Sequence, residues 1–162
     1  MANSLVPFAR ADRSANSAQP EPAKSAGYDQ GDSAKQFPPG EPGKDYAPVI
    51  TPNGSTLPYK IVDGVKVFHL IPGEVDHEFA PGLRAHCWGF NGQVHGPTIE
   101  VVEGDRVRIY VTNNLPENTS IHWHGVLVPS GMDGVAGLSQ KTIEPGETYK
   151  YEFKLRQQGT YM

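Results

Sequence analysis

Three things are scarce in this 162-residue chain. It has one cysteine, Cys87, which excludes an internal disulfide framework and leaves the redox compartment open. No apolar run approaches the length that a bilayer-spanning segment needs. The N-terminal stretch MANSLVPFARADRSANSAQ has no apolar core of the kind a secretory leader carries, so a leader is not visible here. Positive charge is also short: 14 Lys and Arg stand against 18 Asp and Glu, for a net charge of -4. That balance, with no run of like charge, gives no footprint for nucleic acid. A convincing amphipathic helix is missing as well.

Proline and glycine, by contrast, are plentiful and unevenly placed. Nine of the fifteen prolines fall within the first 58 residues. That part is interleaved with Gly, Ser, Ala, Gln and Lys and can bury little apolar surface against its ordering entropy. Residues 1–57 are therefore read as a disordered Pro/Gly/Ser-rich tail or linker, and residues 58–162 as the folded unit.

From Tyr59 on, strands with period-two patterning follow one another. Val65, Val67, His69 and Ile71 alternate with Lys66, Phe68 and Leu70 in a strand with two fairly apolar faces. In PTIEVVEGDRVRIYVTNNLPENTS, Glu103-Gly104-Asp105 reads as the turn of a hairpin. Val107, Ile109 and Val111 line one face of its second arm, and Arg106, Arg108, Tyr110 and Thr112 the other. In TYKYEFKL, introduced by the turn Glu144-Pro145-Gly146-Glu147, Tyr149, Tyr151, Phe153 and Leu155 share one face. Short strands with Gly/Pro turns predict an all-β antiparallel sandwich or barrel.

Within this pattern, SIHWHGVLV (residues 120–128) places two histidines around a tryptophan in an apolar run. In an extended chain His122 and His124 project from one side, and Trp123 and Val126 from the other. The two imidazoles are then roughly 6.6 Å apart at the backbone, able to reach two neighbouring ions or to converge on one. Partly buried histidines bonded to carbonyls are an equally good reading of the bare pattern.

FNGQVHGPTIEVVEGDRVRIYVTNNLP, then SIHWHGVLV, then MDGVAGLSQKTIEPGETYKYEFKLRQQGTYM together resemble the N-terminal cupredoxin-like domain of multicopper oxidases, from about Phe68 to Met162. The resemblance implies a cupredoxin-like Greek-key β-sandwich, incomplete at its C-terminus and preceded by the disordered tail. It implies copper at a trinuclear centre, with His122 a ligand of the type 2 copper and His124 of the type 3 pair. Asp133 in MDGV matches an acidic residue that aids proton delivery, although Asp-Gly is also an ordinary turn. Trp123 is expected to pack in the core and not to serve as a redox relay. His95 stands where the family more often has proline, and His69, His77 and His86 match no ligand position. Lys141 replaces a cysteine of many fungal relatives.

The family pattern continues past GTYM into Tyr-His-x-His, and its type 1 site lies in later domains. The resemblance thus implies dioxygen, a reducing substrate and further cupredoxin domains as partners, and a periplasmic or secreted location. Catalysis by these 162 residues alone is uncertain, since two imidazoles are an incomplete ligand set. A small blue-copper carrier and a metal-free β-sandwich module are the competing readings. The carrier needs a thiolate, two histidines and usually a methionine around one ion, and Cys87 lies upstream of the His-Trp-His stretch.

Overall fold

The computed structural model describes residues 38–52 and 54–162. Among the described residues six strands are formed, β1 (Tyr59–Val62), β2 (Val65–Leu70), β3 (Pro72–Ala80), β4 (Leu83–Phe90), β5 (Arg106–Thr112) and β6 (Thr148–Lys154), with one 3-10 turn at Ser130–Met132. The described residues contain no α-helix, as the strand-length periodicity predicts. None of their helices is long and apolar enough to cross a membrane. The expected tail of residues 1–57 lies outside the described residues up to Phe37 and at Asn53.

Turn chemistry fixes the local pairings. Asp63 and Gly64, at φ 51° and 75°, make a two-residue connection that pairs Val62 with Val65. Two consecutive left-handed residues suit the right-handed twist of a hairpin, and Asp-Gly adopts them with little strain. Pro81-Gly82, with Gly82 at φ 80°, turns β3 back onto β4. Proline supplies the first central dihedral of such a turn and glycine the second.

One sheet has the order β1-β2-β5-β6, and β3 and β4 form a separate two-stranded sheet. The four-stranded sheet is mixed: β2 and β5 run parallel, and the other neighbours antiparallel. This corrects the purely antiparallel expectation. The β3–β4 hairpin and the loop after it form the crossover that brings β5 back beside β2 in the same direction.

The hairpin expected around Glu103–Asp105 is also corrected. Its turn is present, with Asp105 N–H donating to the Val102 carbonyl at 3.0 Å. Its first arm forms no strand and bridges only at Thr98, to Thr56. The Val102 N–H donates instead to the Asp105 carboxylate at 2.9 Å, while Ile99 and Val101 turn toward the core. A side chain and apolar burial have taken the groups that a ladder would use.

The core lies on one face of the large sheet. Phe68 and Leu70, Val107, Ile109 and Val111, and Tyr151 and Phe153 are buried there with Leu57, Met132 and Ile143. The expected inward faces of β5 and β6 are therefore found. The opposing layer includes irregular chain, in which Ile121, Trp123, Val126 and Val128 are half-buried against this cluster.

Lys66 shares that inward face and is 0% exposed. Its Nζ lies 2.8 Å from Asp105 Oδ2 without hydrogen-bond alignment, so ion pairing holds it, aided by the ring faces of Tyr59 and Tyr46 at 4.9 and 5.6 Å. Burial, with Glu100, Tyr59 and Asp105 nearby, pushes the Tyr46 phenol up to about 12. Asp105 also accepts from the Gly40 N–H at 3.2 Å, and Glu100 accepts from the Val49 N–H. The chain before β1 is thereby tied to the domain.

On the β3–β4 hairpin the two nitrogens of His86 face two carboxylates: Nδ1 is 2.8 Å from Asp76 and Nε2 3.2 Å from Glu74. Only an imidazolium can donate from both nitrogens. The bonds to Asp76 and then Glu74 raise the His86 pKa.

Asp105→Ala strips a buried ammonium of its partner and is expected to cost about 3–5 kcal/mol, read from urea denaturation; a loss under about 1 kcal/mol would contradict the pairing. For His86 the folded pKa is raised, so its contribution is complete below about pH 6.5 and fades as pH climbs through the higher folded value. Amide protection in the hairpin should fall over that window, and His86→Gln should abolish the pH dependence.

Candidate metal centre

The His-Trp-His segment is extended but is not a strand of either sheet, which corrects the strand reading of residues 120–128. Its backbone donors go elsewhere. Thr119 and Ile143 exchange a bridge, with N–H to O distances of 3.1 and 2.8 Å, and the Ile121 N–H donates to the Tyr151 hydroxyl at 3.1 Å. Burial pushes the Tyr151 phenol upward, so it remains neutral as an acceptor. The Val126 N–H then closes a turn onto the Trp123 carbonyl at 3.0 Å, with Gly125 at φ 81°.

Period-two alternation survives without the ladder. Trp123 points inward, its ring edge-on to Tyr151 and Phe153 at 5.3 and 5.5 Å between centroids. His122 and His124 are exposed on the opposite side. Their rings lie 5.7 Å apart, with planes inclined by only 25°. The core role expected for Trp123 is what the packing shows.

His122 is oriented by the loop after the 3-10 turn. Its Nδ1 lies 2.8 Å from the Asp133 backbone carbonyl, so Nδ1 carries the proton and Nε2 is left as the lone-pair donor. The Asp133 carboxylate stands 3.5 Å from the same nitrogen. This approach depends on Gly134, at φ 78°: a Cβ there would sit 1.6 Å from the Ile121 carbonyl oxygen. His122 thus lies beside both His124 and Asp133, with Asp133 reaching the ring first through its backbone.

The remaining candidates stay apart from this group by their own bonds. His69 Nε2 bonds Thr112 at 2.7 Å on the outer face of the large sheet, His77 packs edge-on against Phe79, and His86 is held by its two carboxylates. His95 sits in a loop at φ 68°. The Cys87 thiol lies 3.7 Å from the Ala85 carbonyl oxygen. Among the described residues no group of three or more His, Cys, Asp or Glu is arranged to hold a metal ion. Gln157 and Tyr161, which contact the turn after His124, carry no periodic or motif signal by which sequence reasoning would single them out.

The family model for multicopper oxidases matches residues 73–162, more than half of the chain. Copper resistance protein A of Escherichia coli is 54% identical over 80 residues, which are 49% of this chain and 13% of that protein. L-ascorbate oxidase of Nicotiana tabacum is 43% identical over 91 residues, 54% of this chain and 16% of that protein. Among solved structures, a multicopper oxidase of Pseudomonas thermotolerans superposes with a TM-score of 0.57 at 40% identity, covering 59% of this chain and 23% of that one. A multicopper metallo-oxidase of Campylobacter jejuni does so with a TM-score of 0.57 at 35% identity, covering 64% and 22%. The chain belongs to the multicopper oxidase family, and its fold is cupredoxin-like. It spans about an eighth of the length of the copper resistance protein it matches. Copper is accordingly the metal that membership implies.

Gly134→Ala is expected to force the Asp133 loop away from Ile121, at a cost of about 2 kcal/mol or more from clash and left-handed strain. The hydrogen-bonded Nδ1–H resonance expected for His122 should disappear with it. A variant that keeps both that resonance and wild-type stability would refute the close approach.

Proposed function

We propose that this chain supplies His122 to the type 2 copper and His124 to the type 3 pair of a trinuclear centre completed by other cupredoxin domains. The observation that carries this reading is the pair of exposed, near-parallel imidazoles on one side of the segment, one of them with Nδ1 already committed to a carbonyl. Fixing one ring nitrogen sets the tautomer and aims the other at a metal, which is how ligating histidines are usually held. Neutral imidazole suits copper, so the donor set fits the ion. Separate neighbouring ions suit stacked rings 5.7 Å apart better than a single shared ion.

Copper, when bound, supplies the one-electron chemistry by which a reducing substrate is oxidised and dioxygen becomes water. The residues of this chain set positions and proton supply. His122 and His124 present their ring nitrogens from a segment that Trp123 pins to the core. Making water consumes protons, and the half-exposed Asp133 carboxylate, 3.5 Å from His122 Nδ1, is placed to hold and deliver one. A periplasmic or secreted location accords with the copper resistance relatives. The small blue-copper carrier is disfavoured, because the one cysteine, Cys87, stands in β4 of the separate two-stranded sheet, upstream of the His-Trp-His segment.

Copper(II) titration of the 162-residue chain, followed by electron paramagnetic resonance, tests the assignment. One imidazole on each of two separate ions predicts up to two copper sites, each with a Kd of about µM to mM and hyperfine structure from one imidazole nitrogen. His122→Ala and His124→Ala should each remove one site. Binding unchanged by both substitutions would overturn the reading.

A further inference from the structure

The two imidazoles are anchored differently. On the His122 side the chain is held by the Thr119–Ile143 bridge, the Ile121–Tyr151 bond and the Asp133 carbonyl on the ring itself. On the His124 side the chain passes at once into the Gly125 turn, with no ladder to continue it. A glycine at φ 81° and one turn hydrogen bond are a weak constraint by themselves, because glycine has many alternative conformations available.

That turn is gripped from a distance of thirty residues along the chain. The Gln157 carboxamide donates from Nε2 to the Gly125 carbonyl at 2.8 Å and accepts at Oε1 from the Leu127 N–H at 2.7 Å. It thus brackets Val126 with one planar group, whose donor and acceptor cannot both be satisfied if the turn shifts. Nε2 also donates to the Tyr161 hydroxyl at 2.6 Å, and that hydroxyl donates to the Gln158 carbonyl at 2.6 Å. The Tyr161 ring closes the other side: a Cβ on Gly125 would come within 3.1 Å of it. Gln157 and Tyr161 make a brace, and Gly125 is the residue small enough to lie under it.

We propose that Gln157 is a positioning residue for His124, setting through the Gly125–Leu127 turn where that imidazole presents itself to a metal. The claim rests on the copper reading of His122 and His124, and it adds a residue to which that reading gives no role. Gln157 touches no metal. Its effect passes through the backbone on the C-terminal side of His124, while His122 keeps its own anchors.

A double-mutant cycle with copper(II) as the probe tests this. Gln157→Met keeps the side-chain length and removes both hydrogen-bonding groups. It is expected to weaken copper binding at the His124 site about tenfold and to leave the His122 site and its nitrogen hyperfine structure unchanged. The same loss should persist in a His122→Ala background and vanish in a His124→Ala background, since there is then no ring to position. General loosening of the chain would weaken binding in both backgrounds, and that result overturns the proposal, as does wild-type binding and spectrum in Gln157→Met. If Gln157→Met is unfolded by circular dichroism, Gln157→Glu takes its place in the cycle. It retains the acceptor for Leu127 and loses the donor to Gly125, and the same background dependence with a smaller loss is expected. Wild-type copper binding that ignores His124→Ala would instead sink the copper reading itself, so the two failures are distinguishable.

Discussion

The inward packing of Trp123 is the constraint on which the candidate centre depends. A tryptophan buries more apolar surface than any other side chain, and here it lies edge-on between Tyr151 and Phe153 on the core face of β6. Once that ring is seated, alternation of an extended backbone leaves its two neighbours no choice of side. The stacked, exposed arrangement of His122 and His124 is thus a consequence of hydrophobic burial, before any metal contributes.

What replaces a β-ladder around the histidines is a set of side chains acting as backbone partners. Tyr151 takes the Ile121 N–H, and Gln157 takes the Leu127 N–H. Farther back, the wholly buried Asn113 donates to the carbonyls of Glu117 and Ile143 and accepts from the Leu115 N–H. The Ile143 so held is the residue that bridges to Thr119 just ahead of the His-Trp-His segment. Each bond satisfies a group that burial would otherwise leave costly, and each ties the segment to a different part of the sheet. A segment secured in this way can leave the sheet plane and still be fixed in position, which a ladder does not allow.

Legibility from sequence divides along the same line. The faces of β5 and β6 were readable because Val107, Ile109, Val111, Tyr151 and Phe153 repeat with period two, and burial enforces that period. The His-Trp-His alternation was readable for the same reason, and its likeness to a family motif is what pointed to copper ligation. The β3–β4 hairpin carried a usable signal in Pro81-Gly82 and in the alternation of Glu74, Asp76 and Glu78, although polar residues on the exposed face mask it. The missing arm before Glu103 and the absent ladder at residues 120–128 were not readable. There the outcome turned on long-range competition for backbone donors, by Asp105 in one case and by Tyr151 and Gln157 in the other, and local periodicity carries no record of it. Lys66 shows the same limit: on pattern it is the polar partner in a two-faced strand, yet a single carboxylate 39 positions away makes its burial tolerable.

Asp105 shows how one side chain can couple distant parts of a fold. Its carboxylate caps the turn that launches β5, neutralises the ammonium of β2 beneath it, and accepts from Gly40 in the chain ahead of β1. A buried ion pair of this kind adds little net stability compared with an apolar pair, because both charges are desolvated. It does penalise every arrangement in which the two charges separate. The parallel alignment of β2 and β5 pairs Lys66 with Val107, two residues beyond Asp105, and a one-residue slip would move Lys66 from the inward face to the outer one. Register in the central strands is therefore guarded by charge as well as by hydrophobic pattern, and the core surface on which Trp123 rests inherits that register.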